Sequence, residues 1–361
     1  MSKNNVYLRK DGRWEARLII GKNDNGKRVY RSFYGSSKED ALQKLTASRR
    51  AVLPEYPVTC LTVFDVTTEY IRVMASRIKQ STAANYRMKA EKHIIPEFGG
   101  KICSEVQLKD IYSFMERKAA EGLSPRYISD IIVLMKSVFK YAVRTYHIHN
   151  VFDGIVMPKR TKADVKILSA NEQTRLMKYV KSNPTLTTLG VALSLYTGLR
   201  IGELCALQWS DIDLEKRTLT VRKTIQRITA GGGVAKTKLV ITAPKSSSSE
   251  RVIPLPKFIV DMLNRYVCSP ECFVLSGSEA PVEPRKMQYR FARLLKNANL
   301  PSVHFHSLRH AFATNCIEKG FDVKTLSEIL GHSSVEITLN RYVHSSLDRK
   351  RACMDKLTWA A

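Results

Sequence analysis

Residues 6–35 alternate between apolar and polar positions, which is the pattern of strands with one buried face. Within residues 14–20 the apolar positions are Trp14, Ala16, Leu18 and Ile20. The Asp-Asn-Gly sequence at 24–26 is a strong hairpin-turn signal between two strands. A helix is predicted from Ser36 to Arg50, with acidic residues in its first turn. Residues 1–55 therefore predict a small domain of three strands and one helix.

Farther along, apolar residues recur every three or four positions, which predicts four helices. Their approximate spans are 62–76, 81–93, 108–120 and 124–143. Polar, proline-containing segments flank this block at 51–61 and 153–166. We therefore predict an all-helical domain, together with its linker, over residues 56–160.

Residues 161–361 mix the two periodicities. A capping box at Ser169–Glu172 opens a helix, and an apolar helix over 189–196 ends at Gly198. The predicted strands are 214–228, 239–242 and 251–255, and a last helix is predicted over 347–359. This region is predicted to be a mixed α+β domain, mainly α with a small antiparallel sheet. The fold class is therefore multidomain.

The charge balance indicates what kind of partner the chain binds. Among its 361 residues, 59 are Lys or Arg and 33 are Asp or Glu, a formal net charge of +26. Such an excess favours a polyanion, and nucleic acid is favoured over a membrane surface. No apolar run approaches the roughly 18 residues of a spanning helix, and residues 1–18 lack the apolar core of a signal peptide. A basic protein without a nucleic-acid partner is the alternative.

The cysteines argue against a metal site. The seven are scattered, and the close pair, Cys268 and Cys272, has no second pair or histidine at zinc spacing. They predict reduced thiols in a cytoplasmic protein. The sequence also lacks a glycine-rich phosphate loop, so neither a metal nor a nucleotide cofactor is expected.

Basic residues on the first two domains are candidates for DNA contacts. They are Arg13, Arg17, Arg28, Arg31, Lys79, Arg87, Lys89, Arg126 and Lys136. A sheet can enter the major groove, and contacts to phosphates position a protein without reading sequence. For each residue taken singly, a solubilising surface charge is the alternative.

The C-terminal third concentrates side chains that handle phosphates and protons. The segments HSLRH (306–310), LGH (330–332) and NRYVH (340–344) supply imidazoles, a guanidinium fork and a phenol, which can act as a nucleophile. Upstream, Arg200 and Glu203 lie three residues apart and would share a helix face. A loop over 243–249 carries one lysine, a candidate proton donor. Each residue also has a structural alternative, such as a core histidine or a surface ion pair.

The order of these motifs resembles that of tyrosine recombinases of the phage integrase family. TGLRIGEL at 197–204, HSLRHAFAT from 306 and LGHSSVEITLNRYVH from 330 carry the resemblance, which covers nearly the whole chain. Integrases of conjugative transposons and lambda-type integrases are the most similar members. The resemblance implies arm-binding, core-binding (SAM-like) and catalytic domains over 1–55, 56–160 and 161–361. It assigns the active site to Arg200, Glu203, Lys245, His306, Arg309, His332 and Tyr342.

The resemblance further implies cleavage of DNA without metal or ATP. Tyr342 would attack the scissile phosphorus, giving a 3′-phosphotyrosyl bond and a free 5′-hydroxyl. The two arginines would hold the non-bridging oxygens, and Lys245 would protonate the departing 5′-oxygen. His306 would help to remove the phenol proton, and His332 would hydrogen-bond the phosphoryl group. Glu203 would support the site by holding the guanidinium of Arg200 in place.

The resemblance also implies a homotetramer on double-stranded DNA attachment sites, because exchange through a four-way junction needs four protomers. The helix over 347–359 would dock either on a neighbouring subunit or on the subunit to which it belongs. An excisionase or a host DNA-bending protein is an optional further partner, and the location is cytoplasmic, with the nucleoid when bound to DNA. An Xer-like resolvase, a type IB topoisomerase and a non-enzymatic DNA-binding regulator are the alternatives.

Overall fold

A computed structural model of the chain describes residues 6–22, 28–51, 61–159, 166–229, 237–243, 250–342, 351 and 354–355. The chain divides near residue 162 into two compact units. Within the described residues, no helix is both long enough and apolar enough to cross a bilayer.

The N-terminal residues fold as an antiparallel sheet backed by a helix. Its elements are β1 (Val6–Leu8), β2 (Trp14–Lys22), β3 (Arg28–Gly35) and α1 (Lys38–Ala51). The strands pair in chain order, and Ala16, Ala41 and Leu45 are buried between sheet and helix. The apolar face of the alternating pattern is thus the face that α1 covers, and the predicted three strands and helix are confirmed.

The middle of the chain is helical, as predicted. Its helices are α2 (Val63–Ala75), α3 (Gln80–Lys89), α4 (Ile95–Phe98), α5 (Leu108–Ala120) and α6 (Pro125–Tyr146). Thr62 begins α2 in a reciprocal capping box with Asp65, and Ser124 caps α6 just before a proline at its first position. The predicted second helix is longer and irregular, because a π-helical stretch over Ala90–Ile94 joins α3 to α4.

Residues 166–342 form a mainly helical domain with two small sheets. Its helices are α7 (Ala170–Ser182), α8 (Leu186–Thr197), α9 (Ile201–Ala206), α10 (Lys257–Leu263), α11 (Pro284–Asn297), α12 (Ser307–Glu318), α13 (Val323–Leu330) and α14 (Val335–Tyr342). Its strands are β4 (Ile212–Asp213), β5 (Thr218–Val221), β6 (Thr224–Thr229), β7 (Thr237–Thr242) and β8 (Arg251–Pro254). The sheet orders are β4-β5-β8 and β6-β7. A buried helix, α8, lies in the core and contacts α7, α9, α10, α11 and α12.

The single strand predicted over residues 214–228 is wrong. The chain leaves the β4-β5-β8 sheet at Arg222 and Lys223, because β5 pairs with β8 whereas β6 pairs with β7. Apolar side chains alternate on both sides of the break, so the periodicity of the sequence gives no sign of it. The change of sheet depends on which distant strand each half meets.

Gly198 ends α8 in the left-handed conformation, with a φ of +67°. A Cβ atom at this position would lie 2.6 Å from the Phe312 ring and 2.8 Å from Leu330 Cδ2. We expect Gly198→Ala to lower the free energy of unfolding by about 1–3 kcal/mol, as measured by thermal melting. Gly277→Ala is the matched control, because Gly277 also has a positive φ but its Cβ would meet nothing closer than 3.4 Å. Equal losses in the two variants would contradict the packing argument.

Candidate active site

Arg200 lies where α8 has ended and α9 begins. Gly198 turns the chain, and Arg200 is the extended N-cap residue of α9. Its backbone N–H donates to Glu203 Oε2 at 3.0 Å, and its Nη1 donates to Glu203 Oε1 at 2.7 Å. The predicted Arg200–Glu203 pair therefore forms. With its side chain 36% exposed, Arg200 stays accessible from solvent whereas the glutamate is buried.

A second arginine, Arg251 at the start of β8, holds the other side of Glu203. Its Nη2 donates to Oε2 at 2.8 Å and its Nη1 to Oε1 at 3.3 Å. Burial by itself would raise the pKa of Glu203, but the hydrogen bonds from Arg251 and the charges of Arg251 and Arg200 outweigh it and lower that pKa. Glu203 is therefore a carboxylate at neutral pH. The sequence analysis missed Arg251, because nothing near it in the sequence marks its partner.

Arg309 is almost fully buried, with 2% of its surface exposed. Its Nη1 donates to the carbonyl of Gly198 at 2.8 Å, and its Nη2 donates to the carbonyl of Leu330 at 2.7 Å. These bonds fix the plane of the guanidinium and tie α12 to the end of α8 and to the end of α13. Arg309 and Arg200 thus approach the same turn from two different helices.

Three consecutive carbonyls close α13, and each accepts from a different arginine. The last carbonyls of a helix have no partners within it. The oxygens of Ile329, Leu330 and Gly331, called here the α13 carbonyl triplet, accept from Arg251 Nε (2.6 Å), Arg309 Nη2 (2.7 Å) and Arg200 Nη2 (3.1 Å), in that order. His332 follows directly, so the turn that presents this imidazole is held by three guanidinium groups.

The histidines of the motifs lie on the neighbouring helices. His306 is exposed just before α12, and its ring meets that of buried His310 edge-to-face, with centroids 5.0 Å apart. His332 Nδ1 lies 2.8 Å from Thr338 Oγ1 in α14, and Thr338 is fully buried. The Thr338 contact orients the His332 ring and connects it to the helix that ends in Tyr342.

The structure brings three of the predicted site residues to the turn before His332: Arg200 pairs directly with Glu203, and Arg200 and Arg309 donate to the carbonyls of Gly331 and Leu330. Tyr342 is the last residue of α14, but its side chain lies outside the described residues, as does Lys245 entirely. Among the described residues, no three His, Cys, Asp or Glu side chains cluster closely enough to hold a metal ion.

The candidate DNA contacts of the N-terminal sheet lie on two different faces. Arg17 pairs across the strands with Ser32 and Leu18 pairs with Arg31, so Arg17 and Arg31 point to opposite sides. Arg31 lies on the α1 side, over the ring of Phe33. Arg28 belongs to β3, and its side chain lies outside the described residues.

The face away from α1 combines arginines with exposed tyrosines. This aromatic–arginine face comprises Tyr7, Arg9, Arg13, Arg17, Tyr30 and Tyr34, with Glu15 beneath. Arg17 donates to Glu15 at 2.8 Å and lies over Tyr7, and Arg13 lies over Tyr34. Hydrogen bonds from Arg17, Ser32 and Arg9 lower the pKa of Glu15 to about 2. The sequence analysis missed Arg9 and the tyrosines, although the tyrosines share the polar positions of the alternating pattern.

The candidate contacts on the middle helices divide by exposure. Arg87, Arg126 and Lys136 are exposed, and Lys79 is the half-buried N-cap residue of α3. Lys89 does not suit a phosphate contact. It is only 7% exposed, and its Nζ lies 3.6 Å from Asp130 Oδ2 and over the ring of Tyr127. The basic periodicity of α3 gives no indication that this lysine points inward.

This combination of a SAM-like helical domain and a mainly helical arginine-rich domain is the architecture of tyrosine recombinases, which are DNA strand-transfer enzymes. The Phage integrase family profile matches residues 166–349, and the profile of the phage integrase N-terminal SAM-like domain matches residues 62–118. The chain belongs to the phage integrase family.

Individual relatives agree with this assignment. A XerC-like tyrosine recombinase of Caldanaerobacter subterraneus subsp. tengcongensis is 28% identical over 99% of both chains. The Tn1549 transposon integrase in complex with a circular intermediate DNA is 26% identical, with a TM-score of 0.69 over 82% of this chain and 100% of that one. A lambda integrase tetramer bound to a Holliday junction is 21% identical, with a TM-score of 0.59 over 95% and 97%, and it supports the fold.

Proposed function

We propose that this recombinase is the integrase of a mobile element, which joins and excises DNA at attachment sites through a 3′-phosphotyrosyl intermediate. The observation that carries the proposal is the convergence of Arg200 and Arg309 on the turn that leads into His332. Two fixed guanidinium groups beside an imidazole suit a phosphodiester whose oxygens gain charge in the transition state. The similarity to an integrase solved with transposon circular intermediate DNA supports the substrate class.

In the proposed mechanism, Tyr342 is the nucleophile and the other site residues act on the same phosphodiester. The phenol oxygen of Tyr342 bonds to the phosphorus while the bond from phosphorus to the 5′-oxygen breaks. His306 helps to remove the phenol proton, and Lys245 supplies a proton to the 5′-oxygen. Arg200 and Arg309 stabilise the charge on the non-bridging oxygens, and His332 hydrogen-bonds the phosphoryl group. The 5′-hydroxyl of a partner strand then reverses the attack.

Two rounds of this exchange connect two duplexes through a Holliday junction. Four protomers supply four tyrosines, so the active assembly is a homotetramer on DNA, as for the lambda integrase bound to such a junction. The segment over 347–359 joins neighbouring protomers, and an excisionase or a host DNA-bending protein selects the direction.

An Xer-type resolvase is the second candidate, since the XerC-like relative aligns over 99% of this chain. A supercoiled plasmid that carries the two ends of the mobile element tests the choice. An integrase releases a circle with a joined junction, which sequencing across the junction detects. A resolvase instead recombines two copies of one site and leaves the element ends intact. Relaxation of the plasmid without any joined product would favour a topoisomerase and contradict both candidates.

The aromatic–arginine face is the proposed arm-type DNA surface. We expect Arg17→Ala to weaken binding to arm-type DNA and to reduce the slope of log K against log salt by about 0.9, because one phosphate contact is lost. Arg31→Ala is the matched control, since Arg31 belongs to the same sheet but lies on the α1 side. Fluorescence anisotropy at several salt concentrations measures both effects. An equal loss from Arg31→Ala would refute the assignment of the face.

A further inference from the structure

We propose that Arg251 is a positioning residue for DNA cleavage, which acts through Glu203 to keep Arg200 directed at the scissile phosphate. The inference rests on the proposed function and extends it to a residue outside the set that the family motifs marked. The Nε, Nη1 and Nη2 groups of Arg251 all donate to oxygens of the protein, namely those of Glu203 and Ile329, so these hydrogen bonds point to a role within the protein. It stands at the first position of β8, the strand that follows the loop carrying Lys245.

The Glu203 carboxylate has its acceptor positions filled by two arginines. Four N–H groups donate to its two oxygens, two from Arg200 and two from Arg251. A carboxylate offers roughly four lone-pair positions, so the acceptors of Glu203 are fully used. Arg251 supplies a bidentate fork, the strongest geometry for such a pair.

Arg251 also determines how Arg200 can use its donors. Because Arg251 occupies one side of Glu203, Arg200 gives the carboxylate a single side-chain group, Nη1, and turns Nη2 to the carbonyl of Gly331. Without Arg251, a buried carboxylate would face one guanidinium alone, and the fork of Arg200 would turn onto it. The Arg200 N–H groups that a phosphate needs would then donate to Glu203 instead.

Arg251 makes a further bond, from its Nε to the carbonyl of Ile329, at 2.6 Å. It places Arg251 on the α13 carbonyl triplet beside Arg309 and Arg200, just before His332. One buried guanidinium therefore connects β8, the Arg200–Glu203 cap of α9 and the end of α13. The two bonds to Glu203 would suffice to neutralise the buried carboxylate. The additional bond to Ile329 therefore indicates that Arg251 also positions the end of α13.

A double-mutant cycle tests the proposal. Single-turnover cleavage of a nicked attachment-site duplex, at saturating protein, is measured for the wild type, Arg251→Gln, Glu203→Gln and the double variant. We expect Arg251→Gln to slow cleavage about 10–100-fold while DNA affinity changes less than about threefold. In the Glu203→Gln background the same change should alter the rate less than about threefold, because its target is gone. Arg293→Gln, an exposed arginine of α11, is the matched control.

The pH–rate profile separates positioning from a merely structural role. Loss of Arg251 removes the larger of the two influences that lower the pKa of Glu203 and leaves Arg200 alone to oppose burial, so the pKa of Glu203 should rise in Arg251→Gln and a new ionisation should enter its pH–rate profile. Wild type and the double variant should lack that ionisation. A purely structural arginine would lower the melting temperature of its variants without producing this step.

Three outcomes would overturn the proposal: wild-type cleavage by Arg251→Gln, rate losses that multiply in the double variant, or no new ionisation. If Arg251→Gln shows no cooperative melting transition, the cycle is run with Arg251→Lys, which keeps the charge but not the fork. Multiplying losses there overturn the proposal equally. A wild-type protein that forms no covalent adduct would instead defeat the proposed function, so the two failures are distinguishable.

Discussion

We expect the replacement of Tyr342 with phenylalanine to abolish the covalent protein–DNA adduct and to leave DNA binding intact. The change removes only the phenol oxygen, which is the proposed nucleophile at the end of α14. Loss of a nucleophile costs more than about 10⁴-fold in the rate of cleavage. Incubation with a nicked attachment-site duplex, followed by denaturing gel electrophoresis with and without protease, measures the adduct.

Tyr289→Phe is the matched control for this result. Tyr289 is an exposed tyrosine of α11 in the same domain, 62% exposed, so the loss of its hydroxyl should leave the adduct unchanged. An adduct that persists in Tyr342→Phe would show that another residue attacks the phosphorus. A wild-type protein that binds the DNA but forms neither adduct nor recombinant product would favour the regulator alternative, since binding alone would then explain the protein.

We expect the replacement of Arg200 with alanine to lower the single-turnover cleavage rate by about 10³-fold with little change in DNA affinity. The expected size is that of one fixed donor that stabilises charge in the transition state. Arg200→Lys should recover only part of the loss, because an ammonium cannot donate to Glu203, Gly331 and a phosphate in one plane. Quenched-flow cleavage of the nicked duplex measures the rates.

Thermal melting and Arg293→Ala control for the effect of removing an arginine. The Arg200 side chain is 36% exposed, and Glu203 keeps Arg251 as a partner, so we expect melting of Arg200→Ala to remain cooperative. A rate loss that merely follows a fall in affinity would mean that Arg200 binds DNA without acting on the transition state. A loss below about tenfold would remove it from the proposed clamp.

Local sequence determined the elements. The alternating apolar positions Trp14 and Ala16 became part of the buried side of the N-terminal sheet, and the apolar stripes of the middle segment became the core of a helical domain. The capping box predicted at Ser169–Glu172 is present, and the helix starts predicted at residues 62 and 124 coincide with the observed N-cap residues Thr62 and Ser124. These features are short-range, because a cap or a period depends on residues within a turn or two.

The motifs indicated the family and the candidate site residues. The sequence could not show which hydrogen-bond or ion-pair partners each of these side chains has. It gave no reason to expect that Lys89 turns inward to Asp130, or that Arg17 and Arg31 lie on opposite faces. The division of residues 214–228 between two sheets also depended on distant strands. Each of these three features depends on contacts between residues that are brought together only in the folded protein.

The contrast is clearest at the α13 carbonyl triplet. The sequence by itself indicated Arg200 and Arg309 as guanidinium groups suited to a phosphate and Glu203 as the partner of Arg200, because their motifs are compact and their order is distinctive. Tertiary structure alone decided that Arg251 shares Glu203 with Arg200, and that three arginines from three elements meet successive carbonyls before His332. Hydrogen bonds between groups far apart in the chain have no periodicity, so only the folded backbone can bring their donors and acceptors together.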